Sequence, residues 1–356
     1  MNREVSIGRH FIGLDHPTYF IADIAANHDG DLGRAKELIH LCANAGANAA
    51  KFQNFSAKTI VSEYGFKDLD GQQSHQAKWG KSVFEVYEDA SVPVDWTIEL
   101  KEECDKANID YFTAPYDLAM IPKLSEHVCA WKLGSGDITW HENIVALAAD
   151  GKPFLMATGA ANADEVAMAM KIALEHTDEI VLMQCNTNYT ASLENFRHIA
   201  LNVLNSYRRT YPGVILGLSD HTPGHATTLG AVALGARVVE KHFTDDNSRT
   251  GPDHAFAMDP VSWKEMVDRT RELELALGPE EKTVMENEIE TVVLQRRAIR
   301  TTSALKKGDT LKTTDVTYLR PCPKDALPPY KIEEILGRTL NKDINEGDCV
   351  RFSDIS

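Results

Sequence analysis

FIADIAANHDGDLG, residues 20–33, decides the fold. It begins as a buried apolar strand and stops in a polar turn carrying Asp23, Asn27, His28, Asp29 and Asp31. GRAKELIHLCANAGANA (33–49) then repeats apolar residues at three- and four-residue spacing, the pattern of an amphipathic helix. AAKFQNF (49–55) returns to a short β-rich run. Strand, polar turn, helix and strand make a β-α-β unit, whose two strands lie parallel.

The unit recurs along the chain. Strands are predicted at TYFIADIA (18–25), AAKFQNF (49–55), DYFTAPY (110–116), AWKLGSG (130–136), PFLMATG (153–159), EIVLMQC (179–185), VILGLSD (214–220) and VVEKHF (238–243). Helical segments such as ADEVAMAMKIALEH and ATTLGAVALGA separate them. Eight strands alternating with helices predict an α/β fold of the (β/α)8 TIM-barrel type over residues 1–281. The rival open, doubly wound sheet lacks its GxGxxG signature after the first strand. The one irregular gap, 56–109, is expected to hold an inserted loop with its own helix, PVDWTIELKEECDKAN.

After ELALGPEEK the pattern changes. Residues 282–295 read as a helical or extended linker, and 296–356 as a small β-rich domain. ALKKGDTLKTTDV (304–316) and DINEGDCVRFSDI (343–355) place Gly308/Gly347, Asp309/Asp348 and Asp315/Asp354 at the same offset, so each half is expected to be strand, Gly-Asp turn, strand. So small a module has a marginal core and is expected to lean on the barrel or on a partner chain.

Composition narrows the function. The net charge of −16 argues against nucleic acid, whose binding needs a basic surface. An anionic substrate would therefore need a local positive pocket. No apolar run approaches the ~20 residues of a membrane helix. MNREVSIGRH lacks the plan of a signal peptide, and the six cysteines form no CxxC pair. A reducing, cytoplasmic setting is expected, with the thiols serving core packing.

Active sites of such barrels are built at the C-terminal ends of the strands. Here those ends carry polar residues on all eight strands: Asp23, Asn27 and His28; Lys51 and Gln53; Thr113 and Asp117; Lys132, Ser135 and Asp137; Thr158; Gln184, Asn186, Thr187 and Tyr189; Ser219 and His221; Glu240, Lys241 and His242. A scaffold would not need them, so the chain is expected to be an enzyme. Lys51 and Lys132, with neighbouring hydroxyls and Gly134 and Gly136, suit a phosphate and a carboxylate. His221 and His242 end consecutive strands, and two imidazoles with nearby carboxylates suit Mn²⁺, Fe²⁺ or Zn²⁺. His225 and His254 compete for that role. RTGPDHAFAMDP (249–260) would hold Asp253 and His254 over the barrel mouth.

Together, IADIAANHDGDL, AKFQ, YFTAPYD, WKLGSGD, ATG, GLSDH, EKHF and GPDH resemble, in order, the sialic acid synthase family, which includes legionaminic and pseudaminic acid synthases. The C-terminal module is similar to the antifreeze-like (SAF) domain of that family. The resemblance implies condensation of phosphoenolpyruvate with an N-acyl hexosamine, N-acetylmannosamine or a 2,4-diacetamido-trideoxyhexose, to a nonulosonic acid and phosphate. It implies that His221 and His242 bind a divalent metal, manganese or magnesium. Lys51, Thr113, Lys132, Ser135, Thr187 and Ser219 would hold phosphoenolpyruvate; Gln53, Tyr189, Asp253 and Arg320 would contact the sugar. A homodimer is implied in which the C-terminal domain of one subunit covers the barrel of the other.

The departures are specific. The family's usual Glu is Asp23 here, the residue expected to do chemistry, and its reach is shorter by about an ångström; misplacement on that scale costs ~10²-fold in rate. Ala157 stands where a serine often contacts phosphate, and QCNTNYTAS replaces CTxxYPxP, with Thr187 at a frequent Asn. The competing readings are a pseudaminic acid synthase, another phosphoenolpyruvate-dependent synthase acting on an unacylated phosphosugar, and a barrel that binds sugar without turnover.

Overall fold

The computed structural model describes residues 4–68 and 81–356. They divide into two units, Met1–Gly278 and Pro279–Ser356. In the first, β1 (Val5–Ile7) and β2 (His10–Ile12) form an antiparallel hairpin. Eight parallel strands follow: β3 (Tyr19–Asp23), β4 (Ala49–Asn54), β5 (Asp110–Pro115), β6 (Trp131–Leu133), β7 (Phe154–Ala157), β8 (Ile180–Cys185), β9 (Ile215–Asp220) and β10 (Ala236–His242). They close into a barrel in chain order, with β10 pairing β3. All eight expected strands are present.

Alternation along each strand sorts the side chains. Register pairs Asp23 with Lys51 and with His242, and Ser219 with Glu240 and with Cys185, so these share the inner face. Phe20, Phe52, Trp131 and Phe154 fall on the other face, fully buried in the layer between strands and helices. On that same side Trp263, from the helix Pro260–Leu277, meets Phe243 edge-on at 5.5 Å.

The turn after β3 explains much of the opening stretch. Asp29 and Gly30 have φ of +53° and +72°, and Asp31 caps the helix Leu32–Asn44 by accepting from the Arg34 N–H at 2.7 Å. At the opposite end of the barrel the β1–β2 hairpin turns at Gly8, where a Cβ would stand 2.3 Å from the Asp110 carboxylate. His10 and the Tyr19 phenol both reach Asp110 Oδ2 at 2.9 Å, tying the hairpin to the starts of β3 and β5. Three-residue strands carry too little periodicity to be read, and the hairpin was not expected. The 56–109 gap holds more helix than foreseen: Ala57–Ile60, Glu63–Asp68, Val83–Ala90 and Thr97–Lys106.

In the second unit the linker segment is a helix, Ile289–Gln295, preceded by a 3₁₀ turn. β11 (Ala298–Thr301) pairs antiparallel with β12 (Val316–Leu319). The repeat is physical: Lys306 N–H bonds Asp309 and Asn345 N–H bonds Asp348, while Lys312 N–H bonds Asp315 and Arg351 N–H bonds Asp354. The halves are not separate hairpins, however. Leu305 and Ile344, at matching offsets, exchange backbone hydrogen bonds of 2.9 and 3.0 Å across the repeat. Ile299, Leu311, Ile335, Leu340 and Val350 form the core beneath.

Candidate active site

A cavity of about 310 Å³ opens at the C-terminal ends of the barrel strands. Of the expected site residues, Asp23, Lys51, Gln53, Lys132, Ser135, Thr187, Tyr189, Ser219, His221, His242 and Asp253 all line it. Arg320 belongs to the second unit. Thr113 is a correction: in register with Phe52 and Trp131, it faces the helices, and its hydroxyl donates to the Phe52 carbonyl (2.9 Å) and Asn54 Oδ1 (2.8 Å). Asn27 and His28 do not line the cavity either. The Asn27 amide donates to the Phe243 carbonyl, and His28 packs on Trp96 and lies 3.3 Å from the Ala90 carbonyl.

The floor is a buried charge network. Lys51 Nζ donates to Asp23 Oδ2 at 2.7 Å, Gln53 donates to the same oxygen at 3.1 Å, and the Ala25 N–H donates to Oδ1 at 3.1 Å. Burial alone would raise Asp23; Lys51 and His242 outweigh it and hold the carboxyl below its ordinary value. Glu240, unassigned from sequence, joins the two lysines: its carboxylate lies 3.9 Å from Lys51 Nζ and 3.4 Å from Lys132 Nζ, and Oε1 accepts from Ser219 at 3.1 Å. Its Oε2 has no hydrogen-bond partner. Burial lowers Lys132, whereas in Lys51 the charges of Asp23 and Glu240 overcome burial and raise it.

Beside Lys132 lies a cradle that only glycine permits. The Gly159 N–H donates to Ser135 Oγ at 3.0 Å. A Cβ at Gly159 would stand 1.9 Å from Thr187 Oγ1, 2.9 Å from Ser135 Oγ and 3.0 Å from Cys185 Sγ. The bare backbone brings hydroxyl, thiol and N–H groups together, a small set of donors suited to an anion. Cys185 lines the cavity as well. Burial would raise its thiol, but contact with His221 lowers it, and His221 is raised in return against its own burial.

The ring centroids of His221 and His242 are 5.3 Å apart. His221 Nδ1 meets the Asn186 carbonyl at 3.1 Å and, since a carbonyl only accepts, Nδ1 carries a proton. Burial pushes His242 down to about 3, leaving a neutral imidazole whose Nδ1 has no hydrogen-bond partner. Tyr189 and Phe256 meet the two rings edge-on, at 4.5 Å from His221 and 4.8 Å from His242. Two imidazoles and an orphaned ring nitrogen fit a divalent ion in an open site. Among the described residues no group of three or more His, Cys, Asp or Glu side chains could hold one, so remaining positions would fall to substrate or water. The competitors drop out: both ring nitrogens of His254 are engaged, by Thr244 (2.7 Å) and Asp29 (2.9 Å), and His225 begins the helix Ala226–Ala233 without lining the cavity.

Behind the histidines, Asp220 and Lys241 form an ion pair that is 1% and 2% exposed. Lys241 also donates to the Thr222 carbonyl at 2.6 Å, and Asp220 Oδ2 accepts from Thr222 (2.8 Å) and Thr227 (2.6 Å). Each partner immediately precedes one of the histidines, so the pair stitches β9 to β10 where the site begins. Over the mouth, burial pushes Asp253 up to about 6; its Oδ2 accepts from the Ala26 N–H at 3.1 Å and lies 3.9 Å from His242. Its loop is latched to the turn after β3 by Arg34–Asp245 (2.5 and 2.8 Å), Arg249–Asp29 (2.9 Å) and His254–Asp29.

A closed parallel barrel with ionisable and hydroxyl groups converging on one lumen defines a (β/α)8-barrel enzyme. The chain belongs to the NeuB family, whose model matches residues 38–282, and the SAF domain model matches residues 296–356. It is 32% identical over 349 residues to the N,N'-diacetyllegionaminic acid synthase of Legionella pneumophila, covering 96% of each chain. With the N,N'-diacetyllegionaminic acid synthase of Campylobacter jejuni it shares 30% identity over 338 residues, covering 94% of this chain and 99% of that one. The crystal structure of N-acetylneuraminic acid synthetase from Leptospira borgpetersenii, in complex with citrate, is similar with a TM-score of 0.72 and 28% identity, over 82% of this chain and 96% of that chain. No helix of the described residues is long and apolar enough to cross a membrane.

Proposed function

We propose that this enzyme condenses phosphoenolpyruvate with the open-chain aldehyde of an N-acyl hexosamine to give a nonulosonic acid and phosphate. The observation that carries the reading is the pair of buried lysines sharing Glu240 beside the Gly159 cradle, within a lumen that also holds two imidazoles. Lys51 and Lys132 are the positive pocket that an acidic chain needs for an anionic substrate; Ser135, Thr187 and Ser219 add hydroxyl donors. His221 and His242 would hold the divalent ion, Mn²⁺ or Mg²⁺, whose chemistry there is Lewis-acid polarisation of a carbonyl oxygen.

In the reaction C3 of phosphoenolpyruvate forms a bond to the aldehyde carbon, whose C=O π pair moves onto its oxygen, and the positive charge left at C2 is captured by water. One proton of that water ends on the former aldehyde oxygen as a hydroxyl; the C2–O bond to phosphate then breaks, and the other proton leaves with phosphate as C2 becomes a ketone. The lysines stabilise carboxylate and phosphate as charge moves between them. Asp23, held ionised at the inner end of the cavity, positions Lys51 and Gln53 and is the carboxylate nearest His242. Gln53, Tyr189 and Asp253 face the acceptor. The acceptor is N-acetylmannosamine or a 2,4-diacetamido-trideoxyhexose of the legionaminic or pseudaminic type. Phosphate release should require phosphoenolpyruvate, sugar and Mn²⁺ together and stop on chelation. Equal release without sugar sinks the assignment.

Two further parts follow from the family resemblance. The chain acts as a homodimer in which Arg320 of one subunit serves the partner's barrel, and a monomer by light scattering at assay concentration overturns this. The scattered free thiols suit the cytoplasm.

A further inference from the structure

The turn after β3 stands between two walls of the cavity. On one side the Gly30 N–H donates to His28 Nδ1 at 3.0 Å, which leaves Nε2 to face the Ala90 carbonyl at 3.3 Å. Ala90 ends the helix Val83–Ala90, whose Val86 and Tyr87 line the cavity. With the Asn27 amide on the Phe243 carbonyl and Asp31 capping the next helix, the turn is a fixed base. On the other side lies the loop after β10. Its ends are pinned where the Met258 N–H donates to the His242 carbonyl at 2.8 Å and the Thr244 N–H to the Met258 carbonyl at 3.0 Å. Between them residues 245–257 run out and bring Asp253 to the cavity. The loop is tied within itself: the Asn247 amide donates to the His254 carbonyl at 2.8 Å, and the Thr244 hydroxyl meets His254 Nδ1 at 2.7 Å. Gly251 passes so close to that ring that a Cβ would stand 2.6 Å from it.

Arg34 bridges turn and loop. Its Nε donates to the Asn27 carbonyl at 2.8 Å and lies 3.1 Å from Asp29 Oδ2, while its two Nη atoms donate to both oxygens of Asp245 at 2.8 and 2.5 Å. A planar guanidinium bonded in this way sets distance and angle together, which a point charge cannot do. Asp29 adds its own ties to the loop, through Arg249 and His254 at 2.9 Å each. None of Arg34, Asp29 and Asp245 lines the cavity, whereas Asp253 does. The N–H that holds the Asp253 carboxylate is that of Ala26, in the turn. The place of this carboxylate therefore depends on turn and loop staying in register, and Arg34 is the side chain that joins them.

We propose that Arg34, anchored by Asp29 and Asp245, is a positioning residue for the acceptor sugar, acting at a distance by setting where Asp253 stands. This rests on the condensation reading above, in which Asp253 faces the sugar. The test measures phosphate release with Mn²⁺ and each of three sugars, N-acetylmannosamine and the 2,4-diacetamido-2,4,6-trideoxyhexoses of manno and altro configuration. Sugar is varied at saturating phosphoenolpyruvate, then phosphoenolpyruvate at saturating sugar. Arg34→Leu should raise the KM for sugar about tenfold and leave that for phosphoenolpyruvate within about twofold, because only the sugar side loses its placement. Arg34→Lys keeps the charge without the fork and should fall between parent and leucine variant. In an Asp253→Ala background, Arg34→Leu should change the sugar KM by less than about twofold, since nothing remains for it to place. Three results each overturn the positioning role: a loss confined to kcat, an equal rise in both KM values, or a tenfold effect that persists without Asp253. If Arg34→Leu does not fold, Asp245→Asn keeps the volume and weakens the same bridge; its sugar KM should rise about threefold, and no rise overturns the role as well. A parent that releases no phosphate with any of the three sugars fails the condensation reading itself, and the positioning role falls with it.

Discussion

Lys241→Met strands a carboxylate in the wall of the barrel. Asp220 and Lys241 are almost wholly inaccessible, so water cannot replace the lost ammonium. Removing one partner of such a pair costs about 3–5 kcal/mol, because the other charge is left uncompensated. The lost Lys241 bond to the Thr222 carbonyl adds to this; the Thr222 and Thr227 hydroxyls still bound to Asp220 temper it. At roughly 2–4 °C per kcal/mol for a domain of this size, Tm should fall by roughly 6–20 °C. Thermal unfolding followed by circular dichroism at pH 7.5 measures it. Adding Asp220→Asn removes the stranded charge while keeping an acceptor for both threonines, so the double variant should recover more than half of the loss. A single variant within about 2 °C of the parent, or a double variant no better than the single, refutes the reasoning.

Asp23→Glu should lower turnover roughly tenfold to hundredfold, since both oxygens of Asp23 already have partners and a longer arm must displace Lys51 or Gln53; faster phosphate release would mark a compromised site instead. Gly159→Ala should drive Thr187 and Ser135 apart and weaken phosphoenolpyruvate binding by about 10²-fold, read by calorimetric titration, with unchanged affinity refuting the cradle. The Arg34 hydrogen bonds hold Asp245 down to about 2, below its unfolded value, so the latch contributes stability above about pH 4 that is lost as pH falls through 2. Asp245→Asn should therefore be less stable than the parent at pH 5 and indistinguishable from it near pH 2; a gap that persists at pH 2 contradicts the linkage.

The barrel was legible because each strand is a short apolar run that ends in polar residues, and because helical spacing separates the runs. The site was legible for the same reason: Lys51, Lys132, Ser219, His221 and His242 sit where strands stop. What escaped depends on partners distant in the chain. Glu240 looked like one more strand-end charge until Lys51 and Lys132 proved to converge on it from strands formed more than a hundred residues earlier. Thr113 was misplaced because a one-residue difference in register sends a side chain to the opposite face of a strand. Gly159 stood in the ATG motif, but its role there was not legible, since its importance is the absence of an atom. Tyr87 and Val86 lie in a helix of the 56–109 insertion, where periodicity marks a helix but not what it overlooks.

The reciprocal pairing of Leu305 with Ile344 makes the second unit indivisible. Each repeat half supplies the backbone partners of the other, so neither can be ordered first and wait. Loss of the final dozen residues removes Val350 and Ile355 from the core and leaves Ile299 and Leu340 without their partners on the later half. The exposed edges would be free to pair with another chain, so a short C-terminal truncation should yield aggregate rather than a trimmed module.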